Sequence, residues 1–164
     1  MKEKKDTQIT GNVGMFYVCY LLSLKGWNAM PTSRNARGID ILAYKNDKMK
    51  KIQVKTLSKK APVPLGNKKP DNTDIEADFW VIVTNVSEVN FFNTPQEGKK
   101  EKPFVHIMTT KEVWNHPHVG KGTRKRKNDN LNNEITDNDN HKVSFWLQPK
   151  DYEEFDDDWE RVLN

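Results

Sequence analysis

Asp40, Gln53 and Lys55 stand on two short apolar-rich runs, Gly38-Ile39-Asp40-Ile41-Leu42-Ala43-Tyr44 and Lys51-Ile52-Gln53-Val54-Lys55-Thr56. A carboxylate, an amide oxygen and an amine are what a hard divalent cation and a phosphate require: oxygens for the ion, positive charge for the phosphoryl group. Mg²⁺ or Mn²⁺ held by Asp40, the Gln53 amide oxygen and the Val54 backbone carbonyl would polarise a phosphodiester and lower the pKa of a bound water. Lys55 would then either orient that water or neutralise charge developing on phosphorus. A plainer reading fits the same residues: an Asp that starts a strand, and a solvated Gln-x-Lys on an amphipathic one.

What would bring the three together is a β-hairpin. Both runs are rich in Ile, Leu, Val and Tyr, and Lys45-Asn46-Asp47-Lys48 between them is turn-forming. With Asn46 and Asp47 at the centre of the turn, Asp40 falls opposite Gln53. Lys55 shares the face of Gln53 because side chains alternate along a strand. Ile39, Ile41, Ile52 and Val54 take the other face. A slip of one residue would undo this arrangement.

Gly38-Ile39-Asp40 followed by Gln53-Val54-Lys55 resembles the PD-(D/E)xK nuclease superfamily, in the variant with Gln in place of the acidic residue of the second motif. The resemblance extends to Gly11-Asn12-Val13-Gly14, to the apolar segment that ends at Lys25-Gly26-Trp27, and to Ala77-Asp78-Phe79-Trp80-Val81-Ile82-Val83-Thr84. Phe145-Trp146-Leu147 and Asp151-Tyr152 to Trp159 resemble the closing strand and helix of restriction-endonuclease-like members. It implies an α/β fold with a mixed central sheet of four to five strands flanked by helices, and metal-dependent cleavage of DNA. On it, Asp40, Gln53 and Lys55 are the catalytic set, with Asp40, Gln53 and Val54 on the metal. The chain departs from the family pattern in two places. No Pro precedes Asp40, and Met15, after Gly14, stands where many members carry a metal-binding Glu on the first helix. A thioether is a poor ligand for Mg²⁺.

Charge points the same way. Residues 1–70 hold 15 Lys and Arg against 4 Asp and Glu, or +11, whereas 71–164 hold 12 against 19, or −7. The basic half contains the hairpin, where a polyanion would bind. Arg34, Arg37, Lys59, Lys60, Lys68 and Lys69 are the candidate nucleic-acid contacts. DNA is the expected partner, with RNA and a homodimer left open.

Around the hairpin, the remaining elements follow from pattern. Val13, Phe16, Tyr17, Tyr20, Leu21 and Leu24 recur at helical spacing and Gly26 is placed to end the helix, which reads as a core helix. The run is shorter than the ~20 apolar residues a membrane span needs, and no signal-peptide cleavage pattern follows it. Residues 28–33 suit an edge strand, since Pro31 is tolerated there. Residues 57–73 read as a polar loop flanking the site, a substrate-binding flap. Asp78 to Thr84 suits a central strand covered on both faces. A strand at 103–108 leads to a short helix over 111–114, capped by Thr109 or Thr110. His116 and His118, with His106 and His141, lack a ligand set for zinc. Residues 119–141 form a second loop whose basic arm suits disorder or folding on nucleic acid. A final acidic helix would anchor through Tyr152, Phe155 and Trp159.

At 164 residues the chain fits one domain. Its single Cys19 in an apolar run suits a reducing, cytoplasmic setting. The expected activity is metal-dependent hydrolysis of DNA. Two other readings stay open: a DNA-binding module on the same fold without catalysis, and an interaction domain that docks a basic partner on its acidic C-terminal segment.

Overall fold

A computed structural model describes residues 7–33, 38–66, 76–88, 102–116, 120–124 and 142–164. The first element is helix α1 (Thr7–Leu24), closed by Gly26 at φ +77°. The Trp27 N–H reaches back to the Leu22 carbonyl and the Gly26 N–H to that of Ser23, which satisfies carbonyls the helix end would otherwise strand.

Strand β1 (Asn28–Pro31) then pairs antiparallel with β2 (Ile41–Lys45), which turns into β3 (Lys48–Thr56). The turn is the two-residue Asn46-Asp47, and Asn46 takes φ +52°, a conformation Asn accepts more readily than most residues. Ile41 pairs with Ile52 and Lys45 with Lys48, the register expected from the sequence. Next come β4 (Val63–Gly66), then β5 (Phe79–Thr84), which is buried at all six positions between β3 and β6 (Phe104–Thr109). Pairing of β5 is parallel to β3 and antiparallel to β6. The result is a five-stranded mixed sheet in the order β1-β2-β3-β5-β6, flanked by helices, which bears out the mixed α/β expectation.

Helix α2 (Thr110–Asn115) starts at Thr109, whose hydroxyl accepts from the Glu112 N–H while Glu112 accepts from the Thr109 N–H. Strands β7 (Gly120–Arg124) and β8 (Lys142–Leu147) follow, with helices α3 (Pro149–Tyr152) and α4 (Glu160–Leu163) closing the chain. A second sheet of three strands, β4-β8-β7, shares no strand with the first and packs against it through Val63 and Leu147. Two expected loops therefore each contain a strand, residues 63–66 in one and 120–124 in the other. Strand β8, expected as the closing strand of the central sheet, is instead the middle strand of this second one.

Alternation along the central sheet separates two cores. Ile41, Ile52, Val54, Phe79, Val81, Val83 and Ile107 pack with Val18 and Leu22 of α1 and with Trp159. Trp80, Ile82 and Met108 point the other way, against Val63, Leu147 and Tyr152. Gly14 is where α1 comes down on the sheet: a Cβ there would overlap the Thr56 hydroxyl and lie 2.8 Å from Thr56 Cβ. Only glycine permits that approach.

Two expectations are corrected here. The helical positions assigned to the core are largely on the outside: Val13, Phe16, Tyr20 and Leu24 are exposed, while Gly14, Val18 and Leu22 are buried. Segment 151–159 is also not one helix. Tyr152 is buried in the second core and Trp159 in the first, so the chain between them crosses the β6 edge, where the Phe155 carbonyl accepts from the Ile107 N–H at 2.9 Å. A continuous helix would hold both rings on one side of the sheet.

Candidate active site

Asp40 lies one residue before β2, directly across from Gln53 of β3. Its backbone is fixed from both sides, the N–H donating to the Ile52 carbonyl at 2.8 Å and the carbonyl accepting from Thr32 at 2.9 Å. Gly38, at φ +69°, makes the bend that brings the chain into line. A side chain there would be strained, and its Cβ would stand 3.4 Å from Gln53 Oε1.

The Asp40 carboxylate turns onto β3. Its Oδ2 accepts from the Gln53 side-chain amide and, at 2.7 Å, from the Val54 N–H. In a strand the N–H and C=O of one residue project towards the same edge. The Val54 carbonyl therefore faces the Asp40 side, beyond the last β2–β3 pair. Gln53 is buried and Asp40 partly so.

Lys55 follows on the same face. Its ammonium sits 5.5 Å from the centre of the Trp80 ring, carried on the neighbouring β5. Burial pushes its pKa below the usual lysine value, and the nearby Asp40 charge offsets part of that shift. An amine with a depressed pKa releases its proton more readily than a surface lysine does. Trp80 was not singled out from the sequence as a site residue. The structure supplies the link: with β3 and β5 paired in parallel, Trp80 is the residue level with Gln53.

The donors suit Mg²⁺ in kind. With Oδ2 engaged, Asp40 Oδ1, Gln53 Oε1 and the Val54 carbonyl are hard oxygens at one end of a sheet, and Mg²⁺ keeps several waters or phosphate oxygens in its shell. Their formal charge is a single negative one. Among the described residues, no cluster of three or more His, Cys, Asp or Glu side chains is arranged to hold a metal ion. Met15 packs against the core on the opposite face of the sheet from Gln53 and Lys55, which fits its apolar side chain.

The other candidates distribute unevenly. Lys59 is exposed, and Lys60 is paired with Glu153. Arg34, Arg37, Lys68 and Lys69 lie outside the described residues, as do His118 and His141. His116 bonds Glu154 at 2.9 Å, and His106 is buried beside the Tyr152 ring. In the acidic C-terminal segment Asp151 is turned inward, while Glu154, Asp156, Asp157, Asp158 and Glu160 are exposed. Asp151 is fully buried and accepts the Gln148 N–H at 2.7 Å, and Asp158 accepts the Arg161 N–H at 3.3 Å.

A pocket of about 310 Å³ at the hairpin turn is lined by Lys25, Trp27, Lys45, Lys48 and Glu160, and none of the Asp40 group reaches it. Two of its three lysines hold backbone carbonyls, Lys45 donating to that of Lys25 at 2.9 Å and Lys48 to that of Asn164 at 3.2 Å. The carboxylate–amide–lysine group lies away from this concavity.

Comparison with known proteins adds little. No family model matches the chain, and no curated protein matches it. Among solved structures, a bacterial homing endonuclease, I-Ssp6803I, matches at 11% identity with a TM-score of 0.41, over 65% of this chain and 70% of that one. The functional reading therefore rests on the geometry of the site.

Proposed function

We propose that the chain is a divalent-metal-dependent endonuclease that hydrolyses DNA phosphodiester bonds on a restriction-endonuclease-like fold. The observation that carries this reading is the convergence of Asp40, Gln53 and the Val54 backbone with a desolvated Lys55 beside them. Asp40 and Gln53 hold each other in place, so the carboxylate is oriented before any ligand arrives. Mg²⁺ or Mn²⁺ bound there would supply Lewis acidity to a phosphoryl oxygen. Lys55, over Trp80, either takes a proton from the attacking water or meets charge on phosphorus. The basic N-terminal half supports a polyanionic substrate. In the direct test, supercoiled plasmid is incubated with the protein in Mg²⁺, in Mn²⁺ and in EDTA. Nicking or linearisation confined to the metal-containing reactions is expected.

One observation favours a second reading. A single carboxylate, already hydrogen-bonded to an amide, is a weak metal site, and a DNA-binding module would need no more. Such a module binds DNA equally in Mg²⁺ and EDTA and leaves it intact.

A further inference from the structure

Helix α1 has 18 residues and not one of them is charged. A helix apolar all round is ordinarily buried all round. This one buries Gly14, Val18 and Leu22 against the sheet and presents Ile9, Val13, Phe16, Tyr20 and Leu24 on the opposite side. Their spacing of four, three, four and four residues draws one stripe along the helix. The five are between 38% and 68% exposed. No other described element exposes so many large apolar residues.

We infer that this stripe is the contact between two copies of the chain, α1 packing on α1 about a two-fold axis. Three properties favour a second copy over a different protein. A surface that meets itself must be self-complementary, and a helix without charge brings no like charges together. The exposed area is on the order of 500 Å² per copy, so about 1,000 Å² for a pair, which is where specific interfaces begin. The stripe is also aromatic and aliphatic at its centre, with Asn12 and Ser23 at its margin, the composition of an interface core and rim. Because α1 lies on the sheet face opposite Gln53 and Lys55, the contact leaves both copies of that site uncovered. The inference does not depend on the nuclease reading.

Analytical ultracentrifugation of the full chain at micromolar concentration tests it. The wild type is expected at twice the 19.1 kDa chain mass. The double variant Phe16→Glu/Tyr20→Glu is expected to sediment as a monomer with an unchanged far-ultraviolet circular dichroism spectrum, since both side chains are exposed. Met49→Glu, an exposed apolar position on the hairpin, is the control and should remain dimeric. A monomeric wild type would overturn the inference. A dimer that survives Phe16→Glu/Tyr20→Glu would overturn it too, because the contact would then lie elsewhere.

Discussion

Lys55 carries the most information of any single residue. Burial lowers its pKa, so the folded chain holds that proton less tightly than the unfolded chain does. The unfolded state therefore binds more protons between the two pKa values, and this group's contribution to stability grows as pH rises through the folded pKa. At neutral pH the charged amine is a burden on the fold, and Lys55→Met is expected to raise Tm in a thermal melt while abolishing cleavage. A lysine placed only for packing or charge pairing would lower Tm on removal. If Lys55 acts as a base, cleavage rises with pH, with a midpoint below the ordinary lysine range near 10.4. Lys55→Arg then loses activity because guanidinium keeps its proton. If the residue only neutralises charge, Lys55→Arg retains most of the rate. This pairing was legible in the sequence: Asn46 and Asp47 fix the hairpin register, and the register alone puts Asp40 opposite Gln53. The place of Trp80 beside Lys55 becomes legible only once β3 and β5 are known to pair in parallel, which no local pattern encodes.

Among the elements, α1 shows how far periodicity reaches. Its spacing marked a helix correctly, and Gly26 marked its end. It could not choose the buried face, because apolar residues run right round the helix. The deciding residue is Gly14, whose missing Cβ lets the backbone settle on Thr56. Gly14→Ala is expected to destabilise the fold by about 1–3 kcal/mol in urea unfolding, through the overlap it forces. Thr56→Ala in the same chain should recover part of that loss, since it removes the hydroxyl and methyl but leaves Cβ; strictly additive losses would contradict the contact. The C-terminal segment shows the converse case. Tyr152, Phe155 and Trp159 fit one helical face by spacing, yet Tyr152 and Trp159 serve opposite faces of the sheet. Two separate cores pull the chain across the β6 edge, a tertiary demand that overrides local pattern.

For the molecule as a whole, two cores divided by one sheet make stability sensitive to groups buried in either. His106 is buried in the second, and desolvation lowers its pKa, with Asp156 opposing and Lys60 adding to the shift. As pH falls below the unfolded value near 6.5, the unfolded chain takes up a proton that the folded chain resists. Stability is expected to fall as pH drops through about 6.5, and His106→Leu should flatten that slope in chemical denaturation. An unchanged slope would assign the acid sensitivity to other groups. The mixed five-stranded sheet was legible in advance because β2, β5 and β6 are apolar runs, β3 alternates apolar and polar residues, and Pro31 marks β1 as an edge. The second sheet was not, since β4 and β7 lie in Pro-, Gly- and Lys-rich stretches where pairing with β8 supplies what local propensity lacks.

The most direct test of the central claim measures DNA binding and Mg²⁺-dependent cleavage together in the wild type and in Asp40→Ala. The expected result is cleavage by the wild type, a loss of about a hundredfold or more in Asp40→Ala, and DNA affinity that is unchanged or tighter once the carboxylate is gone. Cleavage that survives Asp40→Ala, or a wild type that binds DNA and never cuts it in either metal, would contradict the account.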